Sequence, residues 1–308
     1  MLPWELRNHP HFWPYAALVS VCFFWGTTYL AIRIALESLP PMALITGRFL
    51  ISGIALLAAA RYRGVIIPRG RELWTTAANG LLLLGVSNIC LTYSETLIPS
   101  GLAALFITTA PFWLIGVEAM WPRGEKPTVM TMVGLLVGLC GVGLLLAPSG
   151  LGGAPLGANT IRGFLLLQGA SFCWNFGSIV QRKLPSTAHP IVSGAIQQLA
   201  VGLVTLPVAL LTIHEPIHWD AKSLGAMLYL VVFGSMVGYS SYIYVLDHLP
   251  IALVSIYTYM NPVVAMILGR MFFNEPLGLR EYAALAVIFA GVGIVKWYSP
   301  RKPADALS

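Results

Sequence analysis

The chain has 308 residues, of which 57% are apolar and only 10% charged, and carries a net charge of +6. Soluble domains hold about a quarter charged residues, and the mean hydropathy here is +0.78. An ordinary water-soluble globule is excluded, and the chain has to be read against a bilayer.

Ten apolar stretches follow one another at 14–35, 42–60, 73–93, 99–120, 128–147, 162–181, 190–213, 223–246, 250–273 and 280–297. Each approaches the ~20 residues that a helix needs to cross ~30 Å of hydrocarbon. Barrel strands would read as alternating segments of ~10 residues, which these are not. The expected fold is an all-α integral membrane bundle of ten transmembrane helices, with no room for a separate soluble domain. No convincing small-residue cleavage site follows the first stretch, so it is expected to be a retained helix.

Ten crossings place both termini on one side of the membrane, together with the loops after spans two, four, six and eight. That side carries Arg7, Arg61, Arg63, Arg69, Arg71, Arg123, Lys126, Arg182, Lys183, Lys296, Arg301 and Lys302; the other carries Arg33, Arg162, Lys222, Arg270 and Arg280. The positive-inside rule predicts that both termini are cytoplasmic, in a bacterial inner membrane. This asymmetry accounts for the net charge without nucleic acid as a partner, although the cluster from Arg61 to Arg71 could also touch anionic membrane lipid. Cys22, Cys90, Cys140 and Cys173 fall inside predicted helices with no CxxC pair. They read as small buried hydrophobes, and no metal or cofactor is expected.

An internal repeat organises the stretches. An offset of 149 places Trp25 on Trp174, Arg33 on Arg182 and Pro41 on Pro190; an offset of 151 places Tyr93 on Tyr244, Pro99 on Pro250 and Pro111 on Pro262. At an offset of 150, Glu125 meets Glu275, and Gly141, Val142 and Gly143 meet Gly291, Val292 and Gly293. The chain reads as two five-helix units, 14–147 and 162–297. Five is odd, so the second unit enters from the opposite face, which is the inverted-repeat arrangement that many secondary transporters use for alternating access. Inverted repeats also occur in channels, so a membrane channel or a lipid-handling structural membrane protein is the alternative.

Several residues carry a family resemblance: Trp25, Gly26, Thr27 and Thr28 followed by Arg33; Arg48 and Phe49; Thr109, Ala110 and Pro111; Met260, Asn261 and Pro262; and Glu275 and Pro276 ahead of a Gly-Val-Gly helix. In these the chain resembles the drug/metabolite transporter superfamily, and within it the EamA-type exporters, the YddG-like amino acid exporters in particular. The resemblance implies a ten-helix basket whose central cavity is lined mostly by spans one to four and six to nine, with spans five and ten as peripheral scaffold. Gly134, Gly138, Gly141 and Gly143 in span five, and Ala286, Ala290, Gly291 and Gly293 in span ten, agree with that role, because small residues let helices approach closely in lipid.

The inner spans hold the polar and aromatic groups: Trp25, Thr28, Tyr29, Asn79, Tyr93, Thr109, Trp113, Trp174, Asn175, Ser178, Gln197, Gln198, Tyr239, Tyr242, Tyr257 and Asn261. Unpartnered amides in hydrocarbon cost several kcal/mol, so these groups are expected to face one another or a wet cavity, about half of them lining it. Trp4, Trp13, Trp121 and Trp297 lie near span ends and read as interfacial anchors. Arg48 lies below the membrane surface in span two and needs carbonyl partners, substrate or water. Glu118, near the end of span four, either snorkels to the interface or carries a proton. No acid sits mid-span in spans one, three, six or eight, which argues against an antiporter for organic cations. Pro111 and Pro262 are expected to kink spans four and nine, since each removes a helical hydrogen bond, and to contribute to gating.

His214, Glu215, Pro216, Ile217 and His218 match a zinc-protease pattern, but Pro216 disfavours helix at Glu215, so neither catalytic residues nor a metal site are assigned. The reading is a secondary exporter of small metabolites, foremost aromatic or other neutral amino acids, bound by aromatic walls and amide hydrogen bonds rather than by a strong counter-charge, without a cofactor and with a monomer as the favoured assembly. Facilitated diffusion is favoured over ion coupling.

Overall fold

The computed structural model describes residues 12–122, 127–146, 157–183, 188–213, 217, 219–249, 254, 257–274 and 278–298. Among these the regular structure is helical: α1 (Phe12–Ala35), α2 (Pro41–Tyr62), α3 (Arg71–Ser94), α4 (Ser100–Met120), α5 (Val129–Leu146), α6 (Ala158–Lys183), α7 (Pro190–Thr212), α8 (Ala221–His248), α9 (Tyr257–Phe273) and α10 (Leu279–Tyr298). Seven of them, α1 to α4 and α6 to α8, are long and apolar enough to cross a membrane, while the apolar runs Val129–Gly141 in α5 and Met260–Phe273 in α9 are shorter. Trp4, the family-like Glu275 and Pro276, and the protease-like His214, Glu215, Pro216 and His218 lie outside the described residues.

Local chemistry sets the helix ends. Pro41 and Pro190 each open a helix at its first position, where the missing amide hydrogen belongs to the unpaired first turn anyway. Gly64, at φ +68, follows the end of α2 and lets the Val65 amide bond back to the Ala60 carbonyl at 3.0 Å. Asp220 caps α8, its carboxylate accepting from the Lys222 and Ser223 amides at 2.9 Å and from the Ser38 hydroxyl. The Ser38 bond first, then the backbone bond, hold this carboxyl down from 3.8 to about 2.

The expected break in α4 is present: regular helix stops at Ile107 and resumes at Ala110. Pro111 cannot donate to the Ile107 carbonyl, and the turn before it tightens, with Thr108 and Thr109 amides bonding three residues back at 3.1 and 3.3 Å. Its counterpart Pro262 lies inside a helix that runs unbroken from Tyr257 to Phe273, so the two equivalent prolines differ. Two π-helical stretches were not anticipated, Leu81–Val86 within α3 and Leu230–Tyr239 within α8.

α2 packs against α7 and α5 against α10; α1 packs on α8 and α9, and α6 on α3 and α4. The α2–α7 crossing is antiparallel, because Thr46 meets Thr205 while Ser52 meets Gln198. At its centre a Cβ built on Gly53 would lie 2.7 Å from the Leu199 amide nitrogen, and one built on Gly202 would lie 2.7 Å from that of Leu50. α5 and α10 are also antiparallel, Gly141 facing Ile288 while Gly138 faces Gly291. The small-residue stripe thus forms the expected contact, except that Gly143 and Gly293 meet nothing within 4 Å.

The outward surface is apolar, with Phe23, Ile54, Leu136, Leu165 and Leu211 all more than half exposed, while Ser52, Gln197 and Gln198 are fully buried. That pattern suits lipid outside and a polar interior. The cysteines correct the sequence reading: Cys140 is exposed and Cys22, Cys90 and Cys173 are half-buried, because each sits on an outward or boundary face of its helix.

Gly53→Ala and Gly202→Ala are expected to lower stability in detergent by similar amounts, about 1–3 kcal/mol each from overpacking, whereas Gly225→Ala, with open space around it, stays neutral. Thermal unfolding of the purified variants checks this. The depressed Asp220 carboxyl contributes stability above its unfolded value of 3.8 and loses it as pH falls toward about 2. Asp220→Ala should therefore lower the unfolding midpoint at neutral pH and close the gap to the parent in acid.

Candidate functional site

A cavity of about 750 Å³, counting the space at its mouth, opens among seven helices. α1 contributes Trp25, Thr28, Tyr29 and Ile32; α2 contributes Arg48 and Phe49; α3 contributes Leu84, Ser87, Asn88 and Leu91. The remaining wall comes from Ile107 and Ala110 of α4, Ala170, Ser171 and Trp174 of α6, Gly234, Ser235 and Tyr239 of α8, and Tyr257 and Asn261 of α9. A second, much smaller cavity, about 350 Å³ with the open space around it counted, lies among Pro111, Leu114, Asn175, Ser178, Tyr242, Leu246, Val254, Tyr257 and Thr258.

Tyr257 lines both cavities, and an aromatic cluster occupies the space around it. The Trp25 ring lies 5.1 Å from Trp174, 4.9 Å from Tyr242 and 5.2 Å from Tyr257, edge-on or tilted as ring quadrupoles prefer. Polar ends are satisfied within the cluster. Trp25 Nε1 donates to the Gly234 carbonyl at 3.1 Å, at a site where a Cβ on Gly238 would come within 2.6 Å of the same nitrogen. Trp174 Nε1 donates to the Tyr242 hydroxyl at 3.1 Å, that hydroxyl lies 2.7 Å from Ser178 Oγ, and Ser178 donates to the Trp174 carbonyl at 2.7 Å.

Arg48 is 8% exposed and lines the larger cavity. Its Nε donates to Ser235 Oγ at 2.7 Å and its Nη1 reaches Asn88 Oδ1 at a long 3.5 Å, with the guanidinium carbon 5.0 Å from the centre of the Phe49 ring. The π-helical stretches explain the partners: Gly234 and Ser235 lie within one of them, and Ser87 and Asn88 directly follow the other. Extra residues per turn of this kind re-aim side chains and recur at functional sites.

Of the residues singled out in the sequence, Trp25, Thr28, Tyr29, Arg48, Trp174, Tyr239, Tyr257 and Asn261 line the larger cavity. Asn175, Ser178, Tyr242 and Pro111 line the smaller. Asn79, Gln197, Gln198, Thr109 and Trp113 bridge helices. Asn79 donates to the Gly177 carbonyl at 3.1 Å and to Gln181 at 3.3 Å. Gln197 accepts from the Tyr239 hydroxyl at 2.6 Å, and Gln198 accepts from Ser52 and donates to the Ser235 carbonyl. Trp113 Nε1 donates to Gln168 Oε1 at 2.9 Å, with Thr109 Oγ1 3.0 Å from the same oxygen. Tyr93 is 37% exposed at the end of α3. Pro262 lies in neither cavity wall, and Glu118 pairs with Lys183 at 2.6 Å between α4 and α6. Ser87, Asn88, Ser171, Ser235 and Gln168 were missed in the sequence. Helical spacing points to two of them, since Ser171 lies four residues before Asn175 and Ser235 four before Tyr239.

The profile of the EamA-like transporter family matches residues 12–147 and, separately, residues 161–297. The uncharacterized inner membrane transporter YedA of Escherichia coli K12 is 36% identical over 95% of this chain and 94% of its own length. The uncharacterized transporter YvbV of Bacillus subtilis is 27% identical over 94% and 93%. A protein of Streptantibioticus cattleyicolor named as a probable terminal-alkyne amino-acid exporter is 24% identical over 85% of this chain and 87% of its own. One solved structure shares the fold at a TM-score of 0.67 and 22% identity, over 91% of this chain and 95% of the other.

Tyr242→Phe is expected to cost about 1 kcal/mol of stability, because the Trp174 indole N–H and the Ser178 hydroxyl lose a shared partner in a buried setting. A lowered unfolding midpoint together with a shifted tryptophan emission maximum checks it.

Proposed function

We propose a substrate class and a mechanism for this chain, which belongs to the EamA-like transporter family of the drug/metabolite transporter superfamily and is a multi-pass membrane transporter. It exports small metabolites, amino acids foremost, across the inner membrane by alternating access. The carrying observation is the pair of cavities parted by the Trp25, Trp174, Tyr242 and Tyr257 cluster, since a carrier needs a site that opens to one side while a barrier closes the other.

The mechanism rests on ten crossings in two inverted halves. In support, α2 and α7 hold the same place in the repeat yet pack antiparallel, and α5 and α10 do likewise. Two copies of one unit whose matching helices meet head to tail are related by an axis in the membrane plane. The contacts repeat as well: Leu50 over Gly202 is matched by Leu199 over Gly53, each pair related by an offset of 149. The α3-to-α6 bond from Asn79 has its counterpart in the 2.5 Å bond between Tyr229 of α8 and Thr27 of α1. With both termini cytoplasmic, the larger cavity lies toward the periplasm and the smaller toward the cytoplasm. Rocking of one half on the other about the α2–α7 crossing would exchange them, with Trp25, Tyr29, Trp174, Tyr239, Tyr257 and Asn261 as substrate contacts and the Pro111 break as a flexible point.

Glu118, held by Lys183 and outside both cavity walls, fits an uncoupled carrier better than a proton relay. The named amino-acid exporter among the relatives supports the choice of substrate.

Purified protein in proteoliposomes is expected to show saturable counterflow of at least one labelled amino acid. Trp174→Ala should abolish that exchange, and Glu118→Gln should leave it unchanged across a pH gradient. Linear, non-saturable flux would instead mark a pore, and exchange driven by a proton gradient that fails in Glu118→Gln would restore the proton role.

A further inference from the structure

We infer that the transported solute carries a carboxylate and that Arg48 binds it, an assignment that rests on the transport reading above. The larger cavity has a full positive charge in its wall, and no Asp or Glu among its lining residues. The ion pairs among the described residues, Lys183 with Glu118 and Lys222 with Glu37, lie at helix ends and leave Arg48 with neutral partners. A guanidinium so far from water needs a counter-charge or generous hydrogen bonding.

Its hydrogen bonding is incomplete in a way that suits a ligand. Of five N–H donors, the bond to Ser235 uses one at Nε and the long contact to Asn88 one at Nη1. No main-chain carbonyl accepts from Arg48 among the described residues, whereas a purely structural arginine would be expected to bond such carbonyls. The Nη2 edge lies against Gly234, where a Cβ would come within 3.0 Å of it, so glycine leaves this side of the fork room that a side chain would take. A planar fork with free donors matches a carboxylate through two parallel bonds. Elsewhere in the same wall, Asn261 Oδ1 and Ser171 Oγ are buried without a partner, at 3% and 2% exposure. An amide oxygen and a hydroxyl so placed accept from a second polar group of the solute, such as an ammonium, while the Trp25 and Trp174 faces cover its apolar part and attract the same cation.

The test is binding to the purified full-length protein, read by tryptophan fluorescence and thermal shift, with L-phenylalanine, 3-phenylpropanoate and L-phenylalaninamide as probes. The two carboxylates are expected to bind and the amide to bind at least about tenfold more weakly; Arg48→Gln should weaken the carboxylates by about 30-fold or more, with Arg48→Lys recovering part of the loss. Asn88→Asp gives an independent arm that keeps Arg48: a built-in carboxylate beside Nη1 should compete with both acids and raise the unfolding midpoint of the empty protein. Binding of the amide as tight as that of the acids, no binding of either acid, or acids bound equally by parent, Arg48→Gln and Asn88→Asp overturns the assignment. Absent counterflow for every solute overturns the carrier reading alone, since carboxylate binding lost in Arg48→Gln would still stand.

Discussion

The close antiparallel crossing of α2 over α7 is the contact on which the rest of the molecule depends. Lipid gives helices no hydrophobic reason to associate, so they hold together by van der Waals contact and by polar groups that have nowhere else to go. Gly53 and Gly202 let the two backbones meet with the leucine of each helix resting on the glycine of the other. Ser52 bonds Gln198 within that contact and Thr46 bonds Thr205 beyond it. The same crossing brings Arg48, Gln197 and Gln198 to the centre, where α8 answers all three through Ser235 and Tyr239.

From this centre the polar interior divides into two kinds of group. Gln197, Gln198 and Trp113 spend their hydrogen bonds on neighbouring helices and behave as glue, as do Asn79 and Gln168, each of which keeps one buried amide atom, Oδ1 and Nε2, unpaired outside both cavity walls. Arg48, Asn261 and Ser171 line the cavity with bonding capacity left over. Glue groups gain about 0.6 kcal/mol per bond on average in a membrane. A cavity group left short of partners costs stability in the empty protein, and that cost becomes affinity when a solute satisfies it.

Much of the arrangement was legible in the residues. The hydropathy and the low charge dictated a helical membrane protein, and the residues chosen for their polarity or aromaticity fall largely on the two cavity walls, Trp25, Trp174 and Tyr257 among them. The residues that fall elsewhere do so for physical reasons. Gln197 and Gln198 are as polar as any cavity residue, yet both are sealed between α2, α6, α7 and α8, because Gln181 and the Tyr239 hydroxyl lie opposite the first and the Ser52 hydroxyl and the Ser235 carbonyl opposite the second. Pro262 shares its place in the repeat with Pro111 but interrupts no helix between Tyr257 and Phe273. The cysteines were placed inside by residue type, and Cys140 faces outward because lipid receives a thiol as readily as a core does.

What the sequence determined by itself was the environment and the period: apolar lengths near a bilayer's thickness, a repeat near 150 residues and the inventory of polar groups to be hidden. Those are local or counting properties, set by each residue's own preference for lipid or water. Only the tertiary structure decided which polar groups face the cavity and which face each other, where α3 and α8 widen into π-helix, and that Arg48 meets a hydroxyl and an amide instead of an acid. Partners separated by up to 209 positions in the chain leave no local signal, because a hydrogen bond between helices depends on the rotation and depth of both, and these follow from packing all the helices at once.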